Sequence, residues 1–488
     1  MVPGWWGFKS CSLIKLGPAR IVWLVVILGL CANLALYLAG AYRCIAYPYQ
    51  IDYGEGAHLD RARELAEGRT IYPAIDHYPY KVDNYPPVYD LLCSFLVRAS
   101  GVSFWGGRTI SVVSAMLVSL LVGVMAAAQT GRKCYGAIAA LLFPAAAGVA
   151  YWSVLYRVDM LGLLLSLAGL ALVIRYEGTD RVLLATPMFL LSLYARQSLI
   201  AAPLSTFAYL LGRDRRRATI MIASLLASSA LTFLALNAAT SGQFYLHIVK
   251  YTATTFIPIR ALQQYLKFAR SHPAFLVLAT TYTIYALSRR RNSLIVNYFI
   301  LSGLIALTAG KVGSSVNYFL EVIAASCILT GLLVNGLETE MQAGKDGMEA
   351  RSAASMLVAT LLLFQLVAYA NPPLPPPEAE RDACLEVSGY IRNASGMIIS
   401  EDTGLLVVNG KSIVLDPWIM TQLAKQGLWD QSTLIRDIEA KAFSLIVLRF
   451  DLEGQPSGRF TAQAAEAMRE NYTLLNKSGD FWIYGPGS

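Results

Sequence analysis

Hydrophobic runs of about 20 residues, long enough to cross a bilayer as a helix, recur from Arg20 to Asn371 and then stop. They predict about eleven spans: 20–41, 108–129, 134–152, 158–175, 181–194, 197–212, 217–240, 273–288, 293–309, 316–336 and 353–371. Residues 86–99 are also apolar, but that run is only about 13 residues long and contains Asp90 and Arg98, too short to cross. It belongs to a long first outer segment, 42–107. There, His58 to Glu67 puts Leu59, Ala62, Leu65 and Ala66 on one side of a helix and Asp60, Arg61, Arg63, Glu64 and Glu67 around the rest. That spacing predicts a short amphipathic helix lying on the membrane. A second is expected within 241–272, with Leu262, Tyr265, Leu266 and Ala269 on its apolar side and Lys250, Arg260, Lys267 and Arg270 around it.

The pattern changes after Asn371. Residues 372–377, Pro-Pro-Leu-Pro-Pro-Pro, form a stiff extended spacer. Residues 378–488 then alternate strand-like runs (396–400, 412–415, 444–450) with helix-like ones (378–392, 418–426, 430–441, 460–470). The expected fold class is a polytopic α-helical membrane module over 1–371, followed by a small extracytoplasmic α/β domain. That domain has no phosphate-cradling glycine loop and no nucleophile motif, so it reads as a lid or cap over the module.

Composition supports the membrane reading. Of 488 residues, 56% are hydrophobic and 15% charged, with a mean hydropathy of +0.48; soluble domains carry about 25% charged residues. Residues 372–488 hold 15 acidic and 10 basic side chains, so the net charge of +8 is concentrated in the membrane part. There it suits membrane lipids, and nucleic acid is not expected as a partner. Seven cysteines (Cys11, Cys31, Cys44, Cys93, Cys134, Cys327, Cys384) mostly lie in apolar runs and read as small core residues. Lys9, Lys15 and Arg20 precede an uncleaved first span.

Charge also sets orientation. If 86–99 does not cross, the basic clusters Arg132-Lys133, 212–217 and Arg289-Arg290-Arg291 all fall in the cytoplasm, as short basic loops prefer. The expected protein is a multi-pass protein of the cell (inner) membrane, with a cytoplasmic N-terminus and an extracytoplasmic C-terminal domain.

That topology gathers the unusual polar residues on the outer side. Asp52 and Glu55 follow the first span; His77, Lys81, Asp83 and Tyr85-Pro86-Pro87 lie further along the first loop. Arg157 and Asp159 follow the third span, Arg196 and Gln197 separate two later ones, and the stretch from Lys311 to Glu321 (including Asn317 and Tyr318) opens another. Ionisable groups are costly at membrane depth, so several on one face mark a site. Asp52 and Glu55 could act as a general base for an acceptor hydroxyl, hold a divalent cation (Mg or Mn), or cap the helix starting near His58. Arg157 suits a lipid phosphate, with Asp159 orienting it, or alternatively an intramembrane ion pair. The Lys311–Glu321 stretch offers the hydroxyls, amide and aromatic faces that sugar recognition requires.

These residues resemble the bacterial membrane glycosyltransferases of the GT-C superfamily, in the branch with protein O-mannosyltransferases and aminoarabinose transferases (glycosyltransferase family 39-like). The shared pattern is Asp52-x-x-Glu55, an amphipathic helix ending at Glu67-Gly68, Tyr72, Tyr85-Pro86-Pro87-Val88-Tyr89, Gly107-Arg108, Arg157-x-Asp159 and Asn317-Tyr318-Phe319-Leu320. It runs over about residues 20–335. The resemblance implies a polyprenyl-phosphate-linked sugar donor, a glycan, lipid or protein acceptor presenting a hydroxyl at the outer membrane face, and inversion at the anomeric carbon. Asp52 matches the family's first-loop catalytic acid, and Lys81 and Arg157 its phosphate-binding cations. The chain departs from a directly adjacent Asp-Glu pair, which separates Glu55's role from that of Asp52. Rival readings are a transporter or flippase of lipid-linked sugars, a glycan polymerase or ligase, and a non-catalytic scaffold. A transporter would carry internal repeats and midplane charges, which this sequence lacks.

Overall fold

Every one of the predicted spans is helical in the protein's structure, a computed structural model that describes residues 17–343, 348–454 and 457–487. Lys9, Cys11 and Lys15 lie outside the described residues. Among those described, five helices are long and apolar enough to cross a membrane: Ile21–Ala46, Trp105–Thr130, Arg215–Ala239, Val316–Thr339 and Ser352–Tyr369. Shorter apolar helices stand beside them, among them Lys133–Ala145, Ala201–Leu211 and Pro273–Ser288. Val316–Thr339 runs through the middle of the bundle and Arg215–Ala239 along its outside.

Two expected spans are interrupted. The run 134–152 breaks into Lys133–Ala145 and Ala147–Trp152 around an extended Ala146. Pro144 has no N–H to continue the helical ladder there. The run 181–194 begins as a single 3₁₀ segment, Asp180–Leu184, before Ala185–Ala195. Residues 86–99 form the helix Val88–Ser100, about 20 Å long at 1.5 Å per residue and short of the bilayer core.

The helix Glu55–Ala66 differs from expectation. Its polar face is not turned to water: Glu55, His58, Asp60, Arg61, Arg63 and Glu64 are all buried. They are enclosed because Val88–Ser100 packs on one side and the short helix Thr403–Val408 of the C-terminal domain on another. At the latter crossing a Cβ on Gly56 would stand 2.3 Å from the Gly404 nitrogen, so glycine is what allows the two backbones to meet.

The C-terminal domain has a four-stranded sheet, with β1 (Met397–Ser400), β2 (Phe443–Leu448), β3 (Tyr472–Ser478) and β4 (Phe481–Pro486) in the order β1-β2-β4-β3. β1 and β2 pair in parallel and the rest antiparallel. The strand expected at 412–415 is not in this sheet. Its end pairs with the first outer segment instead: Tyr80 N–H donates to Val414 O (2.8 Å) and Asp416 N–H to Tyr80 O (2.8 Å). Ile75, Tyr80 and Val82 pack in one apolar cluster with Leu415, Ile419 and Trp429. The C-terminal domain and residues 75–82 therefore share a core. Of the described cysteines, Cys31, Cys44, Cys93, Cys327 and Cys384 are free thiols, whereas Cys134 is disulfide-bonded and corrects its reading as a plain core residue.

The basic loops collect at one end of the bundle. Arg213 reaches Glu177 (2.5 Å) and the Asn292 carbonyl (3.4 Å), drawing together three loops at the far end of their helices from Asp52.

Candidate active site

The site is built on one buried ion pair. Arg108, near the start of Trp105–Thr130, and Glu55 are both wholly buried. Arg108 donates to Glu55 through Nε (2.9 Å) and Nη2 (2.8 Å), and to the carbonyls of Cys44, Tyr47 and Tyr49. Glu55 also accepts from the backbone N–H groups of Ile51 (2.5 Å), Asp52 (3.2 Å) and Tyr156 (2.6 Å). Burial alone would raise its pKa, but the charge and hydrogen bonds of Arg108, with the Tyr156 and Ile51 N–H groups, hold the carboxyl below its ordinary value. All the lone pairs of this carboxylate are in use. Glu55 thus fixes the turn that carries Asp52 and has nothing left for substrate or metal.

Asp52 is held more loosely. Its Oδ1 accepts from Gly54 N–H (3.2 Å) and Arg157 Nη1 (3.1 Å), while Oδ2 meets only Tyr151 OH at 3.4 Å. Oδ2 is therefore the oxygen available to a reacting group. Arg157 lies 5.4 Å over the Trp152 ring. Asp159 is buried and ion-pairs with Arg196; it also accepts from Asn317 Nδ2 at 2.8 Å. Arg196 lies 4.9 Å over the Tyr318 ring. Asp52, Arg157, Asp159, Arg196, Asn317 and Tyr318, far apart in sequence, form one chain of contacts.

These groups border a cavity of about 1230 Å³ whose walls include Asp52, Tyr85, Arg157, Arg196, Gln197, Asn317 and Tyr318. Arg260, Lys267 and Lys311 line it further out, and Tyr53, Asp416, Trp418 and Arg459 roof it from the cap side. Seven lysines and arginines face two carboxylates, so the cavity is strongly basic. Pro258–Ser271 forms one wall as expected of an amphipathic helix, with Lys267 toward the cavity and Leu262 and Leu266 exposed on the outside. The roof is pinned: Tyr53 OH donates to Asp416 Oδ1 (3.2 Å) and accepts from Trp418 N–H (3.2 Å), and Arg459 stacks 3.6 Å over the Tyr53 ring.

Besides Glu55, three expected site residues do not face this cavity. Lys81 is bound to Asp60 (2.7 Å) and Glu64 (2.6 Å) behind the wall. Asp159 is enclosed between Arg196 and Asn317. Glu321 turns into the helix bundle, accepting from Tyr298 OH and Ser166 OH. His77 is at the surface beside Asp76. Among the described residues, no three His, Cys, Asp or Glu side chains are grouped to hold a metal ion. Arg108 and three backbone N–H groups saturate Glu55, so the Asp52–Glu55 pair offers a cation one free carboxylate rather than two. Reading the sequence overlooked Arg108 as a site residue, although an arginine opening an apolar span is itself a signal. Tyr53, Arg260, Lys267, Asp416 and Arg459 were also missed.

At the inner wall of the cavity, His58 bonds Asp90 (2.8 Å) and Arg61 pairs with Asp83 (3.0 Å). Burial and the charges of Arg61 and Arg157 push the His58 pKa well below its ordinary value. Burial pushes Asp83 and Asp90 upward despite Arg61.

This arrangement of bundle, first-loop helices and cap recurs in solved structures. ArnT from Cupriavidus metallidurans in the apo state aligns over 96% of this chain and 98% of its own, at 11% identity and a TM-score of 0.59. The same protein bound to undecaprenyl phosphate aligns over 94% and 97%, at 12% identity and a TM-score of 0.58. The archaeal oligosaccharyltransferase AglB from Archaeoglobus fulgidus, in complex with an inhibitory peptide and a dolichol-phosphate, aligns over 98% of this chain and 75% of its own, at 12% identity and a TM-score of 0.56. The chain shares its fold with these proteins. No protein-family model and no curated protein matches the chain. The basic cavity lies under the C-terminal domain, where residues 42–107 meet the bundle.

Proposed function

We propose that this protein is an inverting glycosyltransferase that moves a sugar from a polyprenyl-phosphate donor to an acceptor hydroxyl, with Asp52 as the general base. The observation that carries this reading is Asp52 Oδ2, weakly bonded in the wall of a basic cavity under a GT-C cap. The acceptor oxygen bonds to the sugar's anomeric carbon as the carbon–oxygen bond to the lipid phosphate breaks. The hydroxyl proton passes to Asp52, and the phosphate departs with the bonding electrons. One displacement inverts the anomeric carbon.

Arg157 and Arg196 are already matched to Asp52 and Asp159, so they shape the inner cavity around the sugar with Tyr85, Asn317 and Tyr318. Among the described residues, Lys267 and Lys311 are exposed cations in no ion pair, and Arg260 donates to the Ser314 carbonyl. These three are the better phosphate ligands, positioned to stabilise the leaving charge. Lys81, Asp159 and Glu321 support the walls. The basic loops at the opposite end favour a cytoplasmic location for that end, with the cap outside the inner membrane. A transporter draws less support, because the ionisable groups gather at one end of the bundle.

The test is transfer from a panel of undecaprenyl-phosphate hexoses and pentoses in native membranes. Asp52→Asn is expected to lose transfer by about 10²–10⁴-fold, the usual contribution of a general base, while still binding undecaprenyl phosphate. Full transfer in that variant overturns the assignment.

A further inference from the structure

Asp52 borders a second cavity on its other side. This one measures about 670 Å³ and lies between the segment Gln50–Tyr53, the proline linker at Pro376 and Pro377, and the C-terminal domain. It shares Asp52, Tyr53 and Arg459 with the basic cavity, so the turn carrying the proposed base is the partition between the two. Gly479 and Asp480 at its rim are exposed, so it opens to solvent. Its volume falls within the usual range for a small-molecule pocket, about 300–1,000 Å³.

The two cavities have opposite charge. Asp52, Glu380, Glu401, Asp402 and Asp480 face Arg449 and Arg459 in the small cavity: five carboxylates against two guanidinium groups. Arg449 is committed to Glu380 (2.6 Å) and Asp402 (3.2 Å), and Arg459 approaches Glu401 (3.6 Å). No cation is left over to meet an anion there. A phosphate-bearing donor is drawn to the basic cavity and repelled by this one.

We infer that the small cavity receives the acceptor, and that the accepting end is an uncharged polyol or carries an amine rather than a phosphate or carboxylate. This rests on the glycosyltransferase reading of Asp52. The acceptor hydroxyl reaches Asp52 from the cap side while the donor sugar's anomeric carbon lies across the partition. The hydroxyl proton goes to Asp52 and the phosphate leaves into the basic cavity. The C-terminal domain thereby supplies more than half of the acceptor's walls.

Two rim variants test this in the full-length protein. Ala379 and Asp480 are exposed, so Ala379→Trp obstructs the cavity and Asp480→Lys reverses its rim charge without disturbing the core. Both are expected to reduce label transfer to the natural acceptor in native membranes by about tenfold or more, with undecaprenyl-phosphate binding within about twofold of wild type. Equal losses of transfer and lipid binding, or no loss of transfer, overturn the inference. Glucosamine and glucuronate, similar in size and opposite in charge, are then compared as competitors of transfer at pH 7. Glucosamine is expected to inhibit at about tenfold lower concentration, and Asp480→Lys to narrow the gap. Absence of a gap, or stronger inhibition by glucuronate, overturns the charge assignment. If wild type neither binds undecaprenyl phosphate nor transfers, the underlying glycosyltransferase reading fails instead.

Discussion

Gly54 lies directly beneath Arg157: a Cβ at Gly54 would sit 1.7 Å from Arg157 Nη1, the atom that holds Asp52. Gly54 has φ −80° and ψ −11°, which alanine adopts without strain. Gly54→Ala is therefore expected to fold normally, because the displaced group is the end of a flexible side chain. Transfer should nevertheless drop about 10–100-fold as the guanidinium leaves Asp52, equivalent to losing one charge-assisted hydrogen bond. Steady-state kinetics with an unchanged melting temperature would meet this expectation; wild-type rates would refute it.

Glu55→Gln should act on stability rather than chemistry. It leaves Arg108 buried without its counter-charge, a loss of about 3–5 kcal/mol in comparable buried pairs. The Glu55 pKa is lowered in the fold, so its stabilising contribution is complete above the ordinary carboxylate value of about 4.3 and is lost as pH falls through the lower folded value. Thermal unfolding of wild type and variant in detergent should differ most at pH 7 and converge only once the pH falls below the lowered folded value of Glu55.

Lysines at two depths should separate cleanly. Lys267→Met and Lys311→Met are each expected to weaken undecaprenyl-phosphate binding about tenfold, more at low than at high salt. Lys81→Met should leave that binding within about twofold but lower the melting temperature, because Asp60 and Glu64 lose their shared cation. A binding defect in Lys81→Met would move the phosphate site inward.

Gly56→Ala meets backbone rather than side chain, since the Gly404 nitrogen cannot step aside. The expected cost is about 1–3 kcal/mol of stability, typical of overpacking. Amide hydrogen exchange in Thr403–Val408 should also quicken as the cap lifts. Unchanged protection would show that the cap is held elsewhere.

Much of this was legible in the sequence, for physical reasons that also mark the limits. The spans were readable because a bilayer demands long apolar runs, and Asp52, Arg157 and Arg196 because charge beside such runs is costly. The buried polar face of Glu55–Ala66 was not, since amphipathic spacing tells which side is polar but not what covers it. β3 was missed because only Tyr472 and Ser478 of its seven residues are buried, so it carries no alternation. Asp416, Trp418 and Arg459 join the site through tertiary docking, which no local pattern announces. Glu55 and Asp52 look equivalent as letters. Only the position of Arg108 assigns one to structure and leaves the other free.

The Tyr53 hydroxyl and its partner Asp416 are 363 residues apart in the chain. A contact of that span cannot form early. The ribosome completes the whole bundle before it makes the residues that roof the cavity. An unfinished chain thus carries its proposed base on an uncapped turn, and only the finished one has both chambers around it. The roof of the proposed site is thus the last part of it to be assembled.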